Sequence, residues 1–211
     1  MLRAGELHWA MLSSKKELAR ILSGLEDYEE ANVKLEQYKT DSEIAAEVLW
    51  FLSMNGEIKG KTVGDLGCGN GILGIGCLLL KAKKVYFVDK DKKILNTAKK
   101  NFKNLKLNNG VFVNKNVSGF GNKVDLVIEN PPFGVQKKHA DRIFLDTAMK
   151  ISDTIYSFHK TESYDFLRKY CDGFRVDKLF EFNFVLRKTL RFHKREKHYV
   201  KVGFFKINRK V

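Results

Sequence analysis

The sequence predicts an α/β fold, in which a mostly parallel sheet carries helices on both faces and ends in an antiparallel edge hairpin. Three observations lead to this class. Short apolar stretches alternate with amphipathic ones between residues 61 and 171, as in strand–helix–strand units. The last two strands, over 175–185 and 197–207, are joined without the crossover helix that parallel neighbours need. A glycine-rich turn follows the first strand, where parallel sheets commonly bind ligands.

The individual elements follow from capping patterns and apolar periodicity. Two capping boxes, at Ser14 and Thr40, predict helices over 14–31 and 40–54, with Thr40 as the N-cap of the second. Strands are predicted over 61–66, 84–88, 110–114, 124–129 and 153–158, and helices over 71–81, 91–104, 141–151 and 162–171. Because these strands alternate with helices, we expect them to lie parallel in one sheet.

Length and composition fit one domain of a cytoplasmic protein. The 211 residues, 44% of them hydrophobic, are enough to bury a core. The longest apolar run, 72–80, is far shorter than the roughly 20 residues of a membrane helix, and the N-terminal residues show no signal-peptide pattern. Cys68, Cys77 and Cys171 form no C-x-x-C pair, which argues against a zinc site or a disulfide framework and suits a reducing compartment.

The charge of the chain favours a polyanionic partner. Lys and Arg number 39 against 25 Asp and Glu, which gives a formal net charge of +14. After residue 159 there are 15 basic and 6 acidic residues, and the segment 187–201 interleaves basic side chains with aromatic ones and histidines. That mixture can bind phosphates and stack on bases. A solvated hairpin in a lysine-rich protein is the alternative that charge alone leaves open.

The first chemical motif is the turn Val63-Gly-Asp-Leu-Gly-Cys-Gly-Asn-Gly-Ile-Leu73. Its alternating glycines let the backbone turn sharply and approach a ligand closely. Asp65 distinguishes it from a dinucleotide-binding turn, because a carboxylate repels a pyrophosphate and attracts an ammonium group. The pattern therefore favours the amino-acid end of S-adenosylmethionine, with a tight structural turn as the alternative.

The second motif is the acidic end of the next strand, at Asp89. An acidic residue in this place can accept both hydroxyls of a ribose. Taken alone, Asp89 could equally be a helix N-cap, a role for which Asp91 competes. In series with Asp65 and the glycines, it is predicted to bind the ribose.

The third motif is Asn130-Pro131-Pro132-Phe133, directly after a buried strand. The prolines fix the backbone and remove its N–H donors, so their carbonyls can face the crevice. The Asn130 amide oxygen and the Pro131 carbonyl can accept both hydrogens of an exocyclic amine, while Phe133 stacks on its ring. Two such acceptors favour a pyramidal nitrogen whose lone pair faces a methyl donor. The three motifs together predict a methyltransferase acting on an amino group, although a rigid turn is the alternative for the third.

Four segments resemble the methyltransferase-like protein 5 group, whose members are small-subunit rRNA adenine N6-methyltransferases. In chain order they are Leu35-Glu-Gln-Tyr-Lys-Thr40, Asp65-Leu-Gly-Cys-Gly-Asn-Gly-Ile-Leu73, Asn130-Pro-Pro-Phe-Gly134 and Tyr156-Ser-Phe-His-Lys160. The glycine and Asn-Pro-Pro-Phe motifs are shared by many methyltransferases, whereas the first and last segments are specific to the group. The resemblance runs from about Ser14 to the C-terminus.

The resemblance implies a Rossmann-like, seven-stranded methyltransferase domain over 35–211, preceded by a helical extension over 1–34. It also implies S-adenosyl-L-methionine as the cofactor. The residues expected to bind it are Gln37, Tyr38, Thr40, Asp65, Gly67, Gly69, Asn70, Gly71, Ile72, Asp89 and Asn116. The chain departs from the family at Lys39, where proline is usual, and at Asn116, where an acidic residue is expected near the adenine of the cofactor. An amide at Asn116 can still accept from that adenine but adds no charge.

The resemblance implies methylation of a flipped rRNA adenine, with Asn130, Pro131, Pro132 and Phe133 as the catalytic residues. RNA contacts are expected from Lys137, Lys138, His139, His159, Lys160, Lys194 and Arg195. For His159 the alternative is a strand-end histidine capped by the backbone. Members of the group associate with a small zinc-binding, Trm112-like protein, and such a partner is expected here.

Two other functions stay open from the sequence. Enzymes with this tetrapeptide also methylate guanine N2 in RNA and glutamine side chains of proteins, although the basic tail disfavours a protein substrate. A non-catalytic RNA-binding assembly module could retain the same fold. The intact set of Asp65, Asp89 and Asn130 argues against that second alternative.

Overall fold

A computed structural model of the chain describes residues 12–27, 40–132, 140–186 and 198–210. The strands are β1 (Thr62–Leu66), β2 (Lys84–Asp89), β3 (Gly110–Asn114), β4 (Leu126–Glu129), β5 (Thr154–Lys160), β6 (Phe174–Leu186) and β7 (His198–Arg209). The helices are α1 (Lys15–Ser23), α2 (Ser42–Met54), α3 (Ile72–Leu79), α4 (Lys92–Asn104), α5 (Ala140–Ile151) and α6 (Tyr164–Tyr170). Each element lies close to its predicted range, except α1, which is shorter than the predicted helix over 14–31.

The strands form one seven-stranded sheet in the order β3-β2-β1-β4-β5-β7-β6. The strands β1 to β5 pair in parallel, and β7 runs antiparallel to both β5 and β6. The predicted α/β class, with its mostly parallel sheet and closing antiparallel hairpin, is confirmed. Among the helices that the structure describes, none is both long and apolar enough to cross a membrane.

Both faces of β4 are buried, which explains why Leu126, Val127 and Ile128 form a continuous apolar run. In β4, Leu126 and Ile128 face the core layer that contains α1, α2, α3 and α4, whereas Val127 faces the layer of α5 and α6. The helix α1 contributes the fully buried Leu18 to the same core as the sheet. The proposed division of the chain between residues 34 and 35 stays a prediction.

Two expectations about the first helices are wrong. The helix α1 ends at Ser23 and not at residue 31, since the backbone N–H of Gly24 bonds the carbonyls of Ile21 and Leu22 and closes the last turn. The N-cap of α2 is Asp41 and not Thr40. The Asp41 carboxylate accepts from the backbone N–H of Glu43 and Ile44 at 2.9 and 3.4 Å.

Candidate active site

Three neighbouring strands bring the predicted site residues to one edge of the sheet. The strand β1 lies between β2 and β4, and all three are parallel. Their carboxyl ends therefore meet at the same edge, which is where open α/β sheets bind their ligands. Asp89 ends β2, the glycine turn follows Asp65 in β1, and Asn130 follows β4. The structure thus places next to one another three motifs that lie far apart in the sequence.

The glycine turn uses its glycines for two different reasons. Gly67 has a φ of 68°, and a Cβ added there would lie 2.7 Å from the ring of Phe144 in α5. Gly69 has a φ of 57°, and a Cβ added there would meet no atom within 4 Å. Gly67 is therefore required by conformation and packing, whereas Gly69 leaves the backbone open to a ligand.

Asp65 joins the strand to the start of the following helix. Its Oδ2 accepts from the backbone N–H of Gly74 at 2.9 Å, and its side chain is 1% exposed. Burial raises the pKa of the Asp65 carboxyl to about 7, with the nearby Asp89 adding to the shift. A Cβ on Gly74 would lie 2.8 Å from the same Oδ2, so Gly74 is a site residue that the motif analysis missed. Its signal was a glycine inside a predicted helix.

Asp89, the last residue of β2, forms hydrogen bonds with the segments that follow β1 and β2. Its Oδ2 accepts from the backbone N–H of Gly69 at 3.2 Å, and its Oδ1 from that of Asp91 at 2.9 Å. Burial raises the pKa of the Asp89 carboxyl. The N-cap of α4 is Asp91, which accepts from Lys93 and Ile94, so the alternative capping role of Asp89 is excluded.

Two other predicted cofactor residues form local caps. The Asn70 Oδ1 accepts from the backbone N–H of Ile72 at 3.3 Å, at the start of α3. The Asn116 Oδ1 accepts at 3.2 Å from both the backbone N–H and the hydroxyl of Ser118. Asn116 is exposed and lies just after β3, and its contact with the adenine of the cofactor stays a prediction.

Asn130 and Thr40 are hydrogen-bonded to each other. The Asn130 Nδ2 donates to the Thr40 Oγ1 at 3.1 Å across 90 residues of sequence. This bond explains why the capping role falls to Asp41, since the Thr40 hydroxyl is directed to the strand end instead. It also fixes the orientation of the Asn130 amide, because its nitrogen faces Thr40 and its oxygen is directed away. A predicted cofactor residue and a predicted catalytic residue are thus in direct contact.

A further polar residue that the sequence analysis missed is Asn101 in α4, which is 2% exposed. Its Oδ1 accepts from the backbone N–H of Glu26 at 2.8 Å, and its Nδ2 donates to the carbonyls of Glu26 and Asn70 at 2.9 and 3.0 Å. One buried amide therefore connects α4, the residues after α1 and the glycine turn. The helix α4 also contains Asn96 and Asn104, and nothing in its sequence singles out Asn101 for this role.

The structure corrects the prediction that His159 faces the RNA. His159 is 2% exposed, and its Nε2 lies 2.8 Å from the Ser157 Oγ, which donates to the Glu129 Oε1 at 2.9 Å. Burial lowers the pKa of His159 to about 3, so its ring is neutral. Its hydrogen-bond partner is thus a side chain and not the backbone that the alternative interpretation expected.

Eight predicted site residues lie outside the described residues. They are Gln37, Tyr38, Phe133, Lys137, Lys138, His139, Lys194 and Arg195. Their roles stay predictions. Lys160 is described, and its Nζ lies 3.5 Å from the Oε1 of Glu162.

Glu129 gives a testable pH dependence of stability. Burial raises the pKa of its carboxyl from 4.5 to about 8, so the folded chain keeps a proton that the unfolded chain releases. The free energy of unfolding should therefore fall as the pH rises from about 4.5 to about 8. The variant Glu129→Gln cannot titrate, and we expect it to raise the thermal midpoint more at pH 8 than at pH 5.

The other titratable groups around Glu129 are present in both the wild type and Glu129→Gln, so the difference between their thermal midpoints reports on Glu129. They are Asp65, Asp141, His159 and Cys171. Thermal denaturation of both proteins at the two pH values is the measurement. An equal change in midpoint at pH 5 and pH 8 would contradict the assigned titration.

The residues at this edge fit S-adenosylmethionine. The open side of Gly69 admits a ligand to the backbone, and the carboxylate of Asp89 adjoins it. Burial raises the pKa of Asp65, and no cation among the described residues offsets this shift, so a bound ammonium group would stabilise the ionised carboxyl. Asp65 and Asp89 are therefore carboxylate acceptors at this edge, and their contacts with the amino group and the ribose stay predictions.

Comparisons with known proteins find methyltransferases. The family model "Methyltransferase small domain" matches residues 41–152. The zebrafish (Danio rerio) protein named rRNA N(6)-adenosine-methyltransferase METTL5 is 33% identical over 201 residues, which are 91% of this chain and 97% of the relative. The fly (Drosophila melanogaster) protein of the same name is 31% identical over 202 residues, 91% of this chain and 95% of the relative.

Solved structures show the same fold. A protein of Pyrococcus horikoshii, described as a candidate RNA methyltransferase, is 38% identical and superposes with a TM-score of 0.86 over 95% of this chain and all of its own. The magnesium protoporphyrin IX methyltransferase of Synechocystis, solved with bound S-adenosylmethionine, is 19% identical with a TM-score of 0.60 over 92% of this chain and 91% of its own. The second likeness concerns the fold alone.

Proposed function

Because this chain belongs to the METTL5 group of S-adenosylmethionine-dependent methyltransferases with a methyltransferase small domain, we propose that it methylates the N6 amino group of an adenine in small-subunit ribosomal RNA. The observation that carries the proposal is the Asn130 amide, held by Thr40 at the strand end next to the glycine turn. The METTL5 relatives carry rRNA adenine N6 methylation in their names, and this chain covers most of their length.

S-adenosylmethionine supplies a methyl group on a positively charged sulfur, which is a strong electrophile. The task of the protein is therefore to hold the amine in position. In this proposal, the Asn130 amide oxygen and the Pro131 carbonyl accept the two N6 hydrogens, and Phe133 stacks on the purine ring. Since Thr40 fixes which side of the Asn130 amide carries oxygen, the acceptor is oriented before the adenine arrives.

We propose that basic residues on the same edge hold the flanking RNA. Lys160 ends β5, which adjoins β4, so it lies on the target side of the site. Lys137, Lys138 and His139 follow the tetrapeptide in sequence, and Lys194 and Arg195 lie in the most basic segment. These contacts would supply affinity through phosphates, and base selection would come from the pocket.

A small zinc-binding, Trm112-like partner and a cytoplasmic location belong to the same proposal. The partner would cover apolar surface, and the exposed large apolar side chains among the described residues include Phe51, Met54 and Val111. Coexpression should yield a complex with a higher thermal midpoint than the chain alone. Separate elution of the two proteins in size-exclusion chromatography would contradict the pairing. Cell fractionation tests the cytoplasmic location.

The function is tested by incubating the protein, with and without that partner, with purified ribosomal RNAs and labelled S-adenosylmethionine. Mass spectrometry of the digested RNA should show N6-methyladenosine at one position, in the small-subunit RNA only. A new N2-methylguanosine, or a methylated glutamine in added protein substrates, would replace the proposal with the corresponding alternative. Cofactor binding without any methyl transfer would favour a non-catalytic assembly role.

A further inference from the structure

A buried chain of three polar side chains lies next to the reactive tetrapeptide, and the mechanism above does not use it. We call Glu129, Ser157 and His159 the polar chain. Glu129 and Ser157 are 0% exposed and His159 is 2% exposed. Ser157 donates to the Glu129 Oε1 at 2.9 Å, and the His159 Nε2 lies 2.8 Å from the Ser157 Oγ. Glu129 directly precedes Asn130 in the sequence, so one end of the polar chain lies next to the residue that would hold the amine.

The hydrogen bonds of the polar chain run in one direction. A hydroxyl has one proton, and Ser157 places it on Glu129. With the Ser157 proton on Glu129, a neutral His159 ring that carries its proton on Nε2 completes the polar chain as the donor to the Ser157 oxygen. Aligned donors of this kind strengthen one another in a buried environment. Glu129 is thus held through two successive bonds by the neighbouring strand.

The polar chain lies where the backbone ladder stops. The pairing between β4 and β5 ends with Glu129 opposite Ser157. Pro131 and Pro132 have no N–H, so they cannot donate a further ladder bond to β5. The hydrogen bond between Glu129 and Ser157 therefore links β4 and β5 through side chains at their last paired residues before Asn130.

Stability alone does not explain the polar chain. The Glu129 Oε2 is buried and has no hydrogen-bond partner in the part of the chain that the structure describes. Burying an acid whose second oxygen has no partner among the described residues is unfavourable, and an apolar side chain of similar size would fold at least as well. A feature that costs stability at the edge of a reactive site points to a role in the reaction.

We propose that Ser157 and His159 are positioning residues, which act through Glu129 to hold Asn130 and Pro131 in the geometry that the target amine requires. This inference rests on the proposed function, since it concerns how the amine is held. It assigns no contact with substrate or cofactor to the polar chain. Displacement of a reacting group by about 1 Å can cost about 100-fold in rate, so small shifts of Asn130 suffice.

The test compares two buried serines, Ser157 in the middle of β5 and Ser152 just before the strand begins. Ser157→Ala removes the hydrogen bond to Glu129, which is the last residue of β4. Ser152→Ala is the matched control. Ser152 is also buried, lies two residues before β5, and its hydroxyl forms hydrogen bonds with the backbone of Thr154, the first residue of the strand. We expect Ser157→Ala to lower kcat by about 10- to 100-fold. The Kd for S-adenosylmethionine, measured by calorimetry, should stay within about twofold, and Ser152→Ala should keep the wild-type kcat.

A second pair of variants separates position from stability. Glu129→Leu should lower kcat to the same extent while its thermal midpoint equals or exceeds that of the wild type at pH 8, because it removes a buried acid. Glu129→Gln keeps an acceptor for Ser157 and should retain most of kcat. A purely structural role predicts that kcat and midpoint fall together.

The outcomes are distinguishable. If the wild-type protein transfers no methyl group to rRNA adenine, the proposed function fails, and this inference fails with it. If the wild type is active and Ser157→Ala matches Ser152→Ala in kcat, only the positioning role is overturned. A fully active Glu129→Leu has the same consequence, and it remains decisive if Ser157→Ala does not fold.

Discussion

Replacing Asn130 by alanine should lower kcat for adenine methylation by at least about 100-fold and leave cofactor binding within a few-fold of the wild type. The change removes an oriented acceptor from the place where the amine acquires positive charge, and losses of 10²–10³ are usual for such groups. Asn130 follows β4, whereas Asp65 and Asp89 lie on β1 and β2, so binding and chemistry should separate. Single-turnover methylation and calorimetry with S-adenosylmethionine are the measurements.

The control for this variant is Asn55→Ala. The Asn55 Nδ2 donates to the Phe51 carbonyl at the C-terminal end of α2, away from Asn130. It loses one side-chain hydrogen bond of the same kind and should keep full activity. Wild-type turnover by Asn130→Ala would remove the assigned role of the tetrapeptide.

Thr40 offers a finer variant of the same experiment. Thr40→Val keeps the shape of the side chain but removes the oxygen that accepts from the Asn130 Nδ2. The amide would lose the bond that orients it, so kcat should fall by about 10-fold, as expected for about 1.4 kcal/mol. Thr40→Ser keeps the hydroxyl and should restore most of the rate. Equal rates in both variants would mean that Thr40 does not orient the amide.

Replacing Asp65 by asparagine should weaken S-adenosylmethionine binding by at least about 30-fold with little loss of stability. The asparagine oxygen can still accept from the Gly74 N–H, so the link between β1 and α3 survives. What disappears is the negative charge for the ammonium group. Removing one partner of a buried charged pair costs about 2–5 kcal/mol, which corresponds to about 30-fold or more in Kd.

Two further variants complete the Asp65 experiment. Asp65→Ala should lower both affinity and thermal midpoint, because it also leaves the Gly74 N–H unpaired. Asp125→Ala is the matched control, since Asp125 accepts from the Thr62 N–H at 2.7 Å at the opposite end of β1. It should affect the midpoint only. If Asp65→Asn binds the cofactor as tightly as the wild type, Asp65 acts in the turn alone.

The sequence predicted the main parts of the site because each is a local signal. Asp65 with its glycines, Asp89 and Asn130 all stand at the ends of recognisable strands, and parallel pairing brings such ends together without any knowledge of side-chain contacts. The same reasoning could have corrected one error. Ile155, Ser157 and His159 alternate along β5, so His159 shares the face of a buried isoleucine and points into the core.

Other features had no local signal. Thr40 and Asp41 are both good N-caps, and the choice between them depends on Asn130, 90 residues away. Asn101 lies on a helix whose other residues gave no reason to single it out, and its partners lie 75 and 31 residues away. Contacts of this kind depend on how helices pack on the sheet, which sequence periodicity does not specify.

The sequence alone determined the fold class, the order of strands and helices along the chain and the three strand ends at which the predicted site residues stand. These depend on local propensity, on apolar periodicity and on the rule that parallel strands share an edge. Only the tertiary structure decided that Thr40 orients Asn130, that Asn101 joins three elements and that Glu129, Ser157 and His159 form a buried chain. The physical reason is that a hydrogen bond requires its two atoms to lie about 3 Å apart, and only packing sets that distance between residues remote in sequence.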